Sequence, residues 1–210
     1  MRQQRIDELT RRDHYYLGEQ DLCYFFLEYS VRHGQSFGAS NALIRDLVRP
    51  ESQVGFGPDV PKQRAIRRLA QAFKGALNAG QIGAITFVPL PQARPRDDPQ
   101  YDDRIQRVLR GVAEGLDVRE LIEWVGTPET GDFAGIRTGP DVLYANFRVV
   151  PALIEPAPAV IMLVGDVLTT GASFVAATRR LRQALPGVPV CGLFAARRLR
   201  DADEIPHLDG

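Results

Sequence analysis

The sequence predicts an α/β protein built on a parallel, doubly wound, Rossmann-like sheet. Three observations carry that prediction. Uninterrupted apolar runs, ITFV at 85–88 and VIMLV at 160–164, suit strands covered on both faces. Segments of helical period lie between such runs; Ile105, Val108, Leu109 and Val112 mark one of them. From residue 83 onward the order reads strand, helix, strand, loop, strand, helix, strand, the pattern of a sheet wound by crossover helices.

Taken in order, residues 1–50 read as helical, with a dense aromatic patch in LCYFFLEY and a capped helix in SNALIRDLV, Ser40 or Asn41 at its start. A Gly/Pro-rich loop follows. Pro61 then opens an amphipathic helix with Ile66, Leu69, Ala70, Phe73 and Leu77 on one face, closed by Asn78 and Gly80. GAITFVPL is a strand, residues 99–115 hold a helix, and VRELIEWV is a further strand. GTPETGDFAGIRTGP has breakers and no apolar period, so it reads as a loop or flap. DVLYANFRVV contains a short apolar element. PAVIMLV is a buried strand, TGASFVAATRRLRQAL a helix and VPVCGLFAA the last strand. The division that results is a helical N-terminal region over residues 1–80 and an α/β domain over residues 81–210.

The chain has 210 residues, 44% hydrophobic and 25% charged, enough to bury a layered core without disulfide or metal staples. Lysine plus arginine equals aspartate plus glutamate at 26 each, which argues against wholesale coating of nucleic acid. Cys23 and Cys191 lie in apolar surroundings and read as reduced, buried thiols. With no apolar run of membrane length and no apolar core in the N-terminal MRQQRIDELTRRD, the chain is read as cytoplasmic, with no membrane partner.

The most informative stretch is VIMLVGDVLTTGASF at 160–174. An apolar strand delivers Gly165 and Asp166 to the carboxyl edge of the sheet, where ligands of such sheets bind. Thr169, Thr170, Gly171, Ala172 and Ser173 then form the turn into a helix. The glycine permits close backbone approach, the N–H groups of a helix start carry partial positive charge, and the hydroxyls add donors. Together they suit a phosphate, while Asp166 suits a sugar's hydroxyls or a bound magnesium. The alternative is a plain turn with a capping hydroxyl. A nucleotide P-loop would need Gly-Lys-Ser/Thr and a dinucleotide fingerprint G-x-G-x-x-G; both are absent.

Taken whole, GDVLTTGAS resembles the signature of type I phosphoribosyltransferases, in which a strand ends in two acids followed by Thr-Thr/Ser-Gly-x-Thr/Ser. The resemblance implies the sheet fold of that superfamily, with the loop holding the 5-phosphate of phosphoribosyl pyrophosphate, Asp166 holding the ribose and carrying the chemistry, and magnesium accompanying the donor. FVPLPQAR is similar to the family's pyrophosphate loop, which places Leu90, Pro91, Gln92, Ala93 and Arg94 at the leaving group. The order of elements agrees over residues 83–197, and GTPETGDFAGIRTGP lies where the family has its flexible hood. The competence-associated group, with its V-P-x-P strand end, is the nearest subtype, and residues 1–80 would be its variable hood region. The chain departs from the pattern at Gly165, where the first acid of the pair is missing.

A transfer through a cationic sugar needs cations at the leaving group, and Arg96, Arg104 and, in the flap, Arg137 are candidates alongside Arg94. Arg148 is another candidate, with a solvated arginine as the alternative. Asp102 and Asp103, within PQYDDR, could hold magnesium, as Asp166 could indirectly through the ribose; so could Asp97 and Asp98. A solvated loop with a helix-capping acid is the competing reading for these acids. His14, His33 and His207 have no metal spacing, Trp124 reads as core, and ARRLRDADE as a solvated tail. Two functions of different class follow. One is a phosphoribosyltransferase of nucleotide metabolism using phosphoribosyl pyrophosphate and an unidentified acceptor. The other is a non-catalytic nucleotide- or phosphosugar-binding domain, a sensor or subunit in competence, regulation or phage defence, with a protein partner or a second copy.

Overall fold

The computed structural model describes residues 1–31, 38–50, 60–77, 82–92, 94–126 and 139–200. Its centre is a five-stranded sheet. The strands are β1 (Gln4–Arg5), β2 (Cys23–Tyr29), β3 (Ile85–Pro89), β6 (Val160–Leu168) and β7 (Val190–Arg198), in the order β1-β2-β7-β6-β3. Only the β1–β2 pair is antiparallel; β2 with β7, β7 with β6 and β6 with β3 are parallel. A two-stranded antiparallel sheet, β4 (Ile122–Trp124) with β5 (Phe147–Val149), lies apart from it.

A short helix, α1 (Glu8–Arg11), precedes β2, and longer helices cover both faces of the sheet, as the uninterrupted apolar strands require. On one face α2 (Gly38–Val48), α3 (Val60–Ala76) and α4 (Arg104–Arg110) bury Leu43, Ile44, Leu47, Ile66, Leu69, Phe73, Val108 and Leu109 against Phe26, Met162, Val164 and Leu193 of the sheet. On the other, α6 (Ala172–Ala184) buries Phe174, Ala177 and Leu181 against Phe25, Ile161, Leu163 and Phe194. The β4–β5 pair packs onto that second core through Ile122, Trp124 and Phe147, joined by α5 (Pro140–Asn146) through Leu143. Trp124 is core as expected, edge-on to Phe147. Among the described residues no helix is long and apolar enough to cross a membrane.

The N-terminal region departs from the helical reading of residues 1–50. LCYFFLEY is β2, an interior strand of the sheet between β1 and β7, so the sheet draws on residues from both sides of position 80. Its aromatic and apolar side chains serve both cores, Phe25 one and Phe26 the other, which is strand alternation rather than a helical stripe. Asn41 is not a cap either. It lies inside α2, buried, where its side-chain amide donates to Ser30 O at 2.7 Å and its oxygen accepts from Ser30 N at 3.1 Å. VRELIEWV also differs. Its strand pairs with β5, and the main sheet gains only an isolated parallel bridge from Val118 to Phe87. Cys23 is buried and Cys191 half-buried, both as free thiols.

Candidate functional site

The chain winds away from β3 in two directions. The helix after β3, α4, lies on one face of the sheet, and the helix after β6, α6, lies on the other. Loops leaving the carboxyl ends of two such neighbouring strands diverge and leave a crevice between them, the usual ligand position in open α/β sheets. Here the crevice is a cavity of about 340 Å³. The loop after β3 contributes Leu90, Pro91, Gln92 and Arg94, α4 contributes Arg104, and the end of β6 contributes Gly165 and Asp166. Thr169, Gly171 and Ser173 close the far side. The structure thus brings the two loops singled out in the sequence to one cavity.

Asp166 projects toward α4. Its Oδ2 accepts from Arg104 Nε at 3.0 Å and Nη2 at 2.5 Å, while Oδ1 accepts from Val167 N at 2.6 Å. Burial pushes the carboxyl pKa up, but the Arg104 guanidinium and the Val167 N–H outweigh it, so the group is held below the usual carboxylate range. Burial also opposes the charge on Arg104; Asp166 and Asp102 reverse that and raise its pKa. Asp102 Oδ2 accepts from Arg104 Nη1 at 2.8 Å and from Lys62 Nζ at 2.7 Å. Lys62, fully buried in α3, also donates to Arg49 O at 2.9 Å. Charges therefore alternate from Lys62 through Asp102 and Arg104 to Asp166.

Gly165 projects to the opposite face, among rings. A Cβ there would lie 2.8 Å from Phe194 Cε1 and 3.1 Å from Leu90 Cδ1. Position 165 is thus not open: the Phe194 ring and Leu90 fill the space where a side chain would start.

The TTGAS turn is held from behind by the N-terminal segment. Gly171 has φ +87°, the left-handed region that glycine adopts without strain, and precedes the first residue of α6. Thr170 Oγ1 accepts from Ala172 N at 3.3 Å. His14 Nδ1 donates to the Thr169 carbonyl, and Tyr16 N donates to Thr170 O at 3.1 Å. Across a planar trans peptide the N–H points opposite to the C=O, so Thr170 N–H and Gly171 N–H face away from the N-terminal segment. Leu17 packs directly on Gly171, where a Cβ would meet Leu17 Cγ at 2.8 Å. His14 is fully buried, and burial lowers its pKa to about 4, so the ring is neutral. Its Nε2 has no partner among the described residues.

The remaining candidates divide. Arg94 lines the cavity and pairs with Asp98 at 3.2 Å. Arg96 is exposed and pairs with Glu120 at 3.1 Å beside a separate, smaller pocket near Trp124. Arg148 is exposed on β5, with Glu123 at 2.8 Å. Asp103 lies beside Arg107 and Arg110 at 3.7 and 3.5 Å. Asp97 is not among the cavity-lining residues. Ala93 and Arg137, with residues 127–138 of the flap, lie outside the described residues, as do His33 and His207.

Sequence reasoning missed three contributions. No motif marks Lys62, although it is one of only two lysines in an arginine-rich chain, a signal that could have singled it out. The segment around His14 carries no motif. Arg197, read as part of a solvated tail, is buried, with Asp13 at 2.8 Å and Glu28 at 2.5 Å, and these pairs tie the N-terminal segment to β7.

Among the described residues, the magnesium implied by the resemblance finds no open carboxylate lining the cavity. Gly165 offers none, Asp102 is shared by two cations, and Asp166 is engaged on both oxygens. Among the described residues no group of three or more His, Cys, Asp or Glu side chains is arranged to hold a metal. No protein-family model matches the chain, and no curated protein matches it.

Proposed function

We propose that this protein binds a 5-phosphorylated ribose, with phosphoribosyl pyrophosphate as the donor, in an α/β fold of the type I phosphoribosyltransferase kind. One observation carries the reading. A glycine-centred hydroxyl turn opening a helix, a strand-end carboxylate and a second strand-end loop with an arginine surround a single cavity. On this reading the 5-phosphate takes the N–H groups and hydroxyls of Thr169, Thr170, Gly171, Ala172 and Ser173. Asp166 accepts from one ribose hydroxyl, and the 90–94 loop with Arg94 faces the pyrophosphate. Magnesium would then accompany the donor's pyrophosphate rather than sit on the chain's own carboxylates. In a transfer, the bond from ribose C1 to pyrophosphate oxygen breaks, pyrophosphate leaves with the bonding electrons, and an acceptor nitrogen bonds to C1 and loses its proton.

Calorimetry with phosphoribosyl pyrophosphate on the wild type and on Asp166→Asn tests this. Binding that weakens about 10- to 100-fold in the variant fits the loss of charge-assisted hydrogen bonds. No binding by the wild type would sink the reading. The second reading, binding without turnover, is favoured by the Phe194 ring against Gly165. Binding with no pyrophosphate released across a panel of bases and amines would select it.

A further inference from the structure

Resting on the phosphosugar reading above, we propose that Arg104 is the resident cation of this site and that a 5-phosphorylated sugar binds it without a divalent ion. The argument begins from the donor set on Asp166. A carboxylate offers about four lone-pair positions. Arg104 Nε, Arg104 Nη2 and Val167 N use three of them on Asp166. The side chain is 27% exposed, so the position left can take a neutral donor such as a sugar hydroxyl. A divalent cation on that same carboxylate would lie next to the guanidinium, and like charges at such range repel strongly in a partly buried site.

Arg104 cannot simply swing aside. Its Nη1 is committed to Asp102 at 2.8 Å, and its own backbone N donates to Asp102 Oδ1 at 3.0 Å. Asp102 is fixed in turn by Lys62, and its carbonyl accepts from the Gln92 side chain. Moving Arg104 aside to make room for a metal would break its side-chain pair with Asp102 and leave a guanidinium to be accommodated elsewhere in a buried setting, which is strongly unfavourable. The neighbouring strand-end position that could have offered a second carboxylate is Gly165, which has no side chain, and the ring of Phe194 stands where one would start. One position carries no acid, and the acid at the other is neutralised by the protein itself. Arg104 acts through Asp166 and is therefore a positioning residue.

Ribose 5-phosphate is the probe, because it lacks the pyrophosphate that would itself carry magnesium. Its affinity for the full chain is measured by calorimetry in EDTA and again with magnesium, and bound manganese is followed by electron paramagnetic resonance on the protein alone. The expected result is an affinity equal within about twofold in both buffers, with no manganese held by the ligand-free protein. Arg104→Gln should weaken binding at least about tenfold in EDTA and recover part of it with magnesium, a metal dependence that loss of packing alone would not create. Wild-type binding that appears only with magnesium, or manganese that binds wild type and not Asp166→Asn, overturns this inference while leaving the phosphosugar reading intact. No binding in either buffer overturns the phosphosugar reading, and this inference with it.

Discussion

Gly165 and Asp166 are consecutive residues at the end of one strand, yet they belong to two different environments. Gly165 looks onto the face carrying Phe174 and Phe194, where the space for a side chain is already filled by a ring. Asp166 looks onto the face of α4, where a guanidinium and, beyond it, a buried ammonium compensate charge. Strand alternation alone sends neighbours to opposite faces. What the contrast teaches is that a glycine and an acid at one strand end need different surroundings. The first position has been absorbed into packing, whereas the second is kept by a chain of four alternating charges.

That contrast can be broken from either side. The largest effect should come from the charged side. Asp102→Ala removes the carboxylate from a fully buried Lys62 and from Arg104 together, and should cost about 3–5 kcal/mol in urea unfolding. A cost below about 1 kcal/mol, the range of surface pairs, would mean the network is solvated.

Next is the clamp behind the TTGAS turn. His14 has a folded-state pKa of about 4 against an ordinary 6.5, so the unfolded chain binds the extra proton between those values. The stabilisation is fully present above pH 6.5 and is lost as pH falls toward 4, to the extent of about 3 kcal/mol by the usual conversion. Asp13, whose pKa is raised by burial, works in the opposite sense at the acidic end. His14→Asn keeps a donor for the Thr169 carbonyl and should flatten this dependence in unfolding measured across the window. An unchanged slope would remove His14 from the account.

On the apolar side, Gly165→Asp should lower stability by about 1–3 kcal/mol through overpacking against Phe194, and more if its carboxylate stays buried and unpaired. Phe194→Leu in the same chain should return part of that loss. A Gly165→Asp chain as stable as wild type would show that the ring yields readily. The smallest effect belongs to Arg148→Ala, where loss of the exposed Glu123 pair should stay within about 0.5 kcal/mol and leave ligand affinity unchanged.

Much of this was legible because periodicity and turn chemistry are local. VIMLV, ITFV and the helix-opening TTGAS declare themselves within a dozen residues, and the structure brings both loops to one cavity. β2 was misread for a physical reason. LCYFFLEY packs into cores on both faces through Phe25 and Phe26, and a largely apolar run of that length cannot be told from a buried helix without knowing its partner, β7, which lies over 160 residues further along the chain. The site's electrostatics were hidden for the same reason: Lys62 to Asp102, Arg104 to Asp166 and His14 to Thr169 are contacts across the fold, and no local pattern announces them. The space at Gly165 was invisible too, because the residue that fills it belongs to the neighbouring strand.

The central claim is that the TTGAS turn, faced by Asp166 and Arg104, receives the phosphorylated end of a ribose. An amide-resolved NMR titration with ribose 5-phosphate tests it most directly. The expected result is that the largest shifts fall on the backbone amides of Thr170, Gly171, Ala172 and Ser173 and on Arg104 Nε, and that Ser173→Ala, a change at an exposed position, weakens them. Saturable shifts centred elsewhere, with these amides unmoved, would contradict it.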